Sequence, residues 1–320
     1  MSDSQANLLS LIVPIYQDAE CVPSFLARLH PILQQIQTKF GLQNEIIFVM
    51  DPSGDETEKV ILQAREENPA IKLIIMSRRF GQQPAILTGL FECRGEAAVV
   101  VDVDLQDPPE AILDMVAKYK EGYNVVNGLR TRRPDGEHWL RGVLVERGYW
   151  LMNKIATVNI PRNVGDFRLV DRRIIEELRK LKETHGFFRG LVPFVGFRQT
   201  EVPFERQERH AGASKYPPLW GSLHNSMNAL VCFSNQLLSL AGVMGVVFIF
   251  LLLIILYYLI YVKFFSGTEI STGFFLLTMV LLIIAAIQAF LVAVLGAYIG
   301  RIYDEVRQRP IAIIDKKIGW

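Results

Sequence analysis

Cysteine is scarce, with Cys21, Cys93 and Cys232 the only three in 320 residues. Their spacing fits no zinc or iron–sulfur pattern, and so few thiols exclude a disulfide-stapled fold. They read as packing residues. Net charge is nearly absent too: 34 Lys and Arg stand against 33 Asp and Glu, a formal +1. A chain without a basic excess is not a general nucleic-acid binder. Neither G-x-G-x-x-G nor G-x-x-x-x-G-K-[ST] occurs, which removes the dinucleotide fingerprint and the P-loop. The opening MSDSQANLLSL lacks the basic start and apolar core of a secretory signal, so residues 1 to about 230 are expected in the cytosol.

Charge is missing most completely near the C-terminus. Leu237–Val262 and Ile270–Gly300 contain no Asp, Glu, Lys or Arg. Each run exceeds the roughly 20 apolar residues that cross a ~30 Å hydrocarbon core. A pair of buried core helices is the other reading, and two uncharged runs of this length favour a transmembrane hairpin (237–262 and 270–300). The loop Lys263–Glu269 holds one Lys and one Glu, whereas Arg206, Arg209 and Lys215 precede the hairpin and Arg301, Arg307, Arg309, Lys316 and Lys317 follow it. The positive-inside rule then puts both ends in the cytosol, giving a multi-pass protein of the inner (plasma) membrane with a basic tail at 301–320. Residues 216–236 place Trp220, Leu223, Met227, Leu230 and Val231 on one helical face. That face reads either as an interfacial helix or as packing under the soluble part. Gly296 and Gly300 offer a small-xxx-small surface for homo-oligomerisation.

What is present in the first 130 residues is alternation. LLSLIVPI, EIIFVM, IKLIIM, AAVVVDVD and YNVVNG are strand-like, and helix-like segments at 23–40, 56–68, 82–94 and 108–122 separate them. The alternation predicts an α/β fold with a mostly parallel sheet covered on both faces. Ligands bind such sheets beyond the carboxyl ends of the strands. The loops VPIYQDAE, MDPSGD, SRRFGQQ and DVDLQD stand at those ends. Beyond Arg130 the spacing predicts a helix at 140–156, a strand at 165–170, a helix at 171–181 and an edge strand at 198–205.

Asp102 and Asp104 are two apart at the end of a predicted strand and so share a face. Two carboxylates with the Gln106 amide suit a hard divalent ion, Mg²⁺ or Mn²⁺, that takes its other oxygens from phosphates and water. Their other reading is as caps and solubilising residues of the next helix, and Asp107 before Pro108-Pro109 is read as that cap. His185, His210 and His224 are scattered and receive no catalytic role.

The motifs together resemble a family 2 glycosyltransferase of GT-A fold, in the branch that acts on polyisoprenyl phosphates. That branch includes dolichol-phosphate mannose synthases and bacterial undecaprenyl-phosphate glucosyltransferases. VPIYQDAE, DPSGDET, DVDLQDPPE, GDFRLVDRR, GFFRG, AGASKY and the closing GRIYDEV carry the resemblance along nearly the whole chain. It implies a nucleotide-sugar donor, UDP-glucose being favoured, and a polyisoprenyl phosphate acceptor. It also implies an inverting transfer at the cytosolic face. Pro14, Tyr16, Glu20, Asp51 and Ser53 would shape the nucleoside pocket, with Asp51 at the base, and Asp102, Asp104 and Gln106 would hold the metal on the diphosphate. Arg130, Arg168, Arg189, Arg209 and Lys215 would clamp the acceptor phosphate, and Asp166 would orient the sugar or an arginine. Met50 and Pro52 replace the family's Asp and Gly, and Gln17-Asp18 its Asn-Glu, which alters the nucleobase pocket. Two other readings are a processive polysaccharide synthase, whose QxxRW element and extra membrane helices are missing, and an inactive nucleotide-sugar-binding module.

Overall fold

The computed structural model describes residues 7–132, 164–181, 188–207 and 271–320, together with Ile254 and Tyr257. The chain divides into two compact units. The first comprises residues 1–154, 158–229 and 309–320, and the second 155–157 and 230–308.

The first unit is an α/β sandwich. Its elements are β1 (Leu8–Ile15), α1 (Cys21–Phe40), β2 (Gln43–Met50), α2 (Thr57–Glu67), β3 (Ile71–Met76), α3 (Gln82–Glu92), β4 (Ala97–Val100), α4 (Ala111–Lys120) and β5 (Val125–Arg132). They continue with β6 (Val164–Asp171), α5 (Arg172–Lys180), α6 (Phe188–Val195) and β7 (Gln199–Glu205). The 37-residue α7 (Ser271–Arg307) belongs to the second unit, and β8 (Ile314–Ile318) returns to the first.

The eight strands form one sheet in the order β7-β5-β6-β4-β1-β2-β3-β8. β4, β1, β2 and β3 run parallel, as apolar strands joined by helices must when both faces are covered. Leu9, Leu11, Ile12 and Val13 of β1 are fully buried, as are Ile46, Ile47, Phe48 and Val49 of β2. α3 lies close on this sheet because position 89 is glycine. A Cβ there would stand 2.4 Å from Ile12 Cγ2. On the other side α1 buries Phe25, Leu29, Leu33 and Ile36 at helical spacing.

Three features differ from the sequence reading. β4 stops at Val100 rather than Asp104, so Asp102 and Asp104 leave from a turn and not from one strand face. Leu105 in that turn has φ 59°, a left-handed conformation that costs a non-glycine residue of order 1 kcal/mol. Asp107 is not a helix cap: α4 begins at Ala111 with Glu110 before it, and Asp107 is buried in an ion pair. The C-terminal tail is more than a basic extension, for Ile314–Ile318 pairs antiparallel with β3 and closes the sheet edge.

The expected interfacial helix at 216–236 lies outside the described residues, as does the first span at 237–262 apart from Ile254 and Tyr257. Residues 271–300 of the second span fall within α7. Counting the described residues alone, no helix is long and apolar enough to cross a membrane.

Candidate active site

The sheet register gathers one set of polar residues at a single edge. β1 to β4 point their carboxyl ends there. β6 runs antiparallel to β4 with Val100 opposite Arg168, so Gly165 and Asp166 extend past the end of β4 toward Asp102. β5 is antiparallel to β6 and β7 is parallel to β5, so Arg130 and Arg206 emerge at the same edge.

Acidic and basic groups alternate in this cluster. Asp107, 2% exposed, receives Arg130 NH2 on both oxygens at 3.2 and 3.1 Å. Asp166, 3% exposed, receives Arg189 Nε at 2.9 Å and NH2 at 2.8 Å, and Gln83 Nε2 at 3.2 Å. Gln83 Oε1 also accepts from the Phe188 amide at 3.0 Å, tying the start of α3 to the start of α6. Asp104 accepts the Gln106 amide at 3.1 Å, and Asp102 accepts Gln82 Nε2 at 3.0 Å. Gln106 Oε1 accepts from Arg206 NH2 at 2.6 Å.

The charges perturb one another. Burial, then the negative fields of Asp107, Asp166 and Asp104, push the Asp102 carboxyl up to about 7. Burial works the same way on Asp166, but Arg189 outweighs it and holds that carboxyl below the usual range. Burial draws Arg168 down to about 10, against the pull of Asp166. Burial and then the neighbouring Arg130 charge lower Arg206.

Asp102 and Asp104 therefore form an all-oxygen pair with excess negative charge, which fits a hard divalent cation. Among the described residues no three acidic, His or Cys side chains converge as a complete metal site.

The structure brings Asp102, Asp104, Gln106, Arg130, Arg168 and Arg189 to this edge, yet it alters several assigned roles. Arg168 is 1% exposed, donates to Gly165 O at 2.8 Å and stacks on Phe188 at 4.9 Å, so it is buried rather than presented to a lipid. Arg189 is engaged by Asp166, and the Gln106 carbonyl by Arg206. Asp51 accepts the Phe80 and Gly81 amides at 3.0 and 2.8 Å, bracing the loop before α3. Met50, where the family pattern has Asp, is 3% exposed in the core. Tyr16 carries the Arg79 guanidinium over its ring at 4.3 Å, and Ser53 donates to Asp55. Pro14 is buried in β1 and Glu20 is exposed at the start of α1. Arg209, Lys215 and the histidines 185, 210 and 224 lie outside the described residues.

Gln82, Gln83, Asp107 and Arg206 were not assigned to the site from sequence. The glutamines stand in SRRFGQQ, a loop already placed at the ligand edge, so their position was a usable signal. Arg206 joins Gln106 across 100 residues, a pairing that only the sheet order creates.

A family model described as glycosyl transferase family 2 matches residues 10–179. The chain is 38% identical over 310 residues to an uncharacterized glycosyltransferase of Bacillus subtilis (strain 168), covering 97% of this chain and 94% of that one. It is 33% identical over 313 residues to the bactoprenol glucosyl transferase of Shigella phage SfII, covering 96% and 97%. Among solved structures, a mannosyltransferase from Pyrobaculum calidifontis in complex with GDP-Man and Mn²⁺ shares 16% identity. The match covers 92% of this chain and 87% of that one at a TM-score of 0.45, a likeness too slight to carry weight.

Proposed function

The chain belongs to the family 2 glycosyl transferases, and from that premise we propose that it moves a hexose from a nucleotide-sugar to the phosphate of a membrane polyisoprenyl phosphate. UDP-glucose is the favoured donor and undecaprenyl phosphate the favoured acceptor. The relatives named bactoprenol glucosyl transferase, matched over almost their whole length, support glucose as the sugar and a polyprenyl acceptor.

The observation that carries the reading is the juxtaposition of Asp102 and Asp104 with Arg130 at one sheet edge. A nucleotide-sugar brings its own leaving group, a diphosphate on which negative charge grows as the glycosidic bond breaks. A divalent ion on Asp102 and Asp104, when bound, supplies the Lewis acidity that neutralises that charge. Arg130 serves the second substrate. A phosphate monoester has a second pKa of ~6 and is largely dianionic in the cytosol, so its attack on the anomeric carbon needs no strong protein base. What it needs is cations that hold one phosphate beside another, and fixed guanidinium groups provide them without reorganisation. Attack from the face opposite the diphosphate would invert the anomeric centre.

The lipid acceptor accords with a membrane hairpin at 237–262 and 270–300 and a cytosolic catalytic unit. Along α7 the side chains of Phe274, Ile283, Val292 and Ile299 are exposed by 58% or more, and Ile270–Gly300 carries no charge. An uncharged run that exposes large apolar side chains requires an apolar cover.

A donor screen tests the proposal. Membranes containing the protein, supplied with undecaprenyl phosphate, Mg²⁺ or Mn²⁺ and radiolabelled nucleotide-sugars, should form a chloroform-soluble labelled lipid, most of it from UDP-glucose. Absence of such a product with every donor would refute it.

A further inference from the structure

Arg206 and Arg28 have no part in the assignments above beyond the contact with Gln106, and their surroundings give them one. Arg28, on the second turn of α1, uses every edge of its guanidinium. Nε and NH2 meet the two oxygens of Glu110 at 2.7 and 2.9 Å, and NH1 meets Gln207 Oε1 at 2.7 Å. Gln207 in turn donates its amide to Gln106 O at 3.0 Å. The end of β7 is thereby fastened to the acidic turn 102–110 at three points: Arg28 to Gln207, Gln207 to Gln106, and Arg206 to Gln106.

The fastening fixes Arg206 in an awkward place. It stands in the electric field of a second cation, Arg130, with Asp107, Asp104 and Asp102 near by. Arg130 is paired with Asp107, but the buried Nε of Arg130 and the buried Nε of Arg206 each lack a hydrogen-bond partner among the described residues. Two neighbouring guanidinium groups repel, and each leaves a buried donor unmet, a cost that an anion bridging them would remove. Phosphoryl oxygens have the charge and the acceptor geometry for that position.

We propose that Arg206 binds a substrate phosphate beside Arg130 and that Arg28, through Glu110 and Gln207, is the positioning residue that sets it there. The proposal rests on the glycosyl-transfer reading for its substrates, while the anion site itself can be tested without turnover.

The experiment uses the full-length protein in detergent. Inorganic pyrophosphate binding is measured by calorimetry, and KM is measured separately for UDP-glucose and undecaprenyl phosphate. Arg206→Ala should weaken pyrophosphate binding at least fivefold and raise one KM at least tenfold. A rise confined to the lipid identifies the acceptor phosphate, and one confined to UDP-glucose identifies the donor diphosphate. Arg206→Lys, which keeps the charge without the fork, should fall between wild type and Ala. Arg28→Ala should reproduce part of the loss in the wild-type background and add nothing to Arg206→Ala, because residues acting through one another are non-additive. Pyrophosphate affinity and both KM values within twofold of wild type for Arg206→Ala would overturn the site. Equal losses from Arg28→Ala in both backgrounds would overturn the clamp. If the wild type transfers no sugar, the pyrophosphate measurements still decide the site.

Discussion

Arg130 NH2 bridges both carboxylate oxygens of Asp107, at 3.2 and 3.1 Å, across the turn that carries Asp102 and Asp104. The pair holds a cation next to the acidic cluster of Asp102 and Asp104. Asp107→Asn preserves shape and removes the charge. We expect transfer to fall at least tenfold while stability drops by only about 1–3 kcal/mol, the usual cost of a lost charged hydrogen bond. Initial rates alongside thermal melts check this, and a wild-type rate would remove Asp107 from the site.

Gly165 gives that arginine its room. A Cβ at 165 would lie 2.7 Å from Arg130 NH2, the mobile end of a long side chain. Gly165→Ala should therefore shift Arg130 rather than unfold the strand. The expected signature is a melting temperature within a few degrees of wild type with transfer reduced roughly tenfold. A large loss of stability with normal specific activity would show that the glycine serves packing alone.

Asp102 makes the pH dependence specific. Its carboxyl is raised from an ordinary 3.8 to about 7 by burial and by three neighbouring carboxylates. A raised pKa means that the folded state holds this proton more tightly than the unfolded chain. Its contribution to metal-free stability is thus full below 3.8 and is lost as pH climbs through about 7. Metal binding has the opposite sign, since the ion must displace the proton. Mn²⁺ affinity measured by calorimetry should weaken by up to about tenfold per pH unit below 7, and Asp102→Asn should bind poorly and flatten the profile.

Much of the first unit was legible because its signal is local. Buried runs such as EIIFVM and IKLIIM, separated by amphipathic helices, announce a covered parallel sheet, and each of these two runs is a strand in the structure. The loops after those strands stand at the carboxyl edge of the sheet, as the alternation predicts. What escaped were relationships set by strand order. Asp107 reads as a helix cap from Pro-Pro behind it, but β5 brings Arg130 across to claim it. Arg168 reads as a surface cation from its motif, yet β6 lies between β4 and β5 and encloses it. IDKKI has no apolar alternation to mark it, and it becomes a strand because the edge of β3 is open to it.

Glu45 holds the opposite end of the sheet. Ser10 Oγ, Lys72 Nζ and the Arg94 amide donate to it at 2.5, 2.6 and 2.8 Å, and Lys72 also lies over the Trp320 ring at 5.2 Å. Burial alone would raise this carboxyl, but the Lys72, Ser10 and Arg94 hydrogen bonds outweigh it and hold it below the usual range. Its stabilisation is present at neutral pH and fades as pH falls below the ordinary 4.5 through the depressed value. Glu45→Gln leaves the largely buried Lys72 without its counter-ion and should cost about 3 kcal/mol. Melting curves at pH 7 and pH 4 should show that deficit at pH 7 and a smaller one at pH 4. Transfer per folded molecule should stay unchanged.

The central claim is that Asp102 and Asp104 support metal-assisted transfer from a nucleotide-sugar to a polyisoprenyl phosphate. The most direct measurement is label transfer from UDP-[¹⁴C]glucose to undecaprenyl phosphate by purified protein stripped of metal, then resupplied with Mg²⁺ or Mn²⁺, with Asp104→Asn run in parallel. The account predicts no labelled lipid without metal, recovery on adding it, and at least tenfold lower turnover for Asp104→Asn at equal expression. Equal turnover with and without metal, or wild-type turnover from Asp104→Asn, would contradict it.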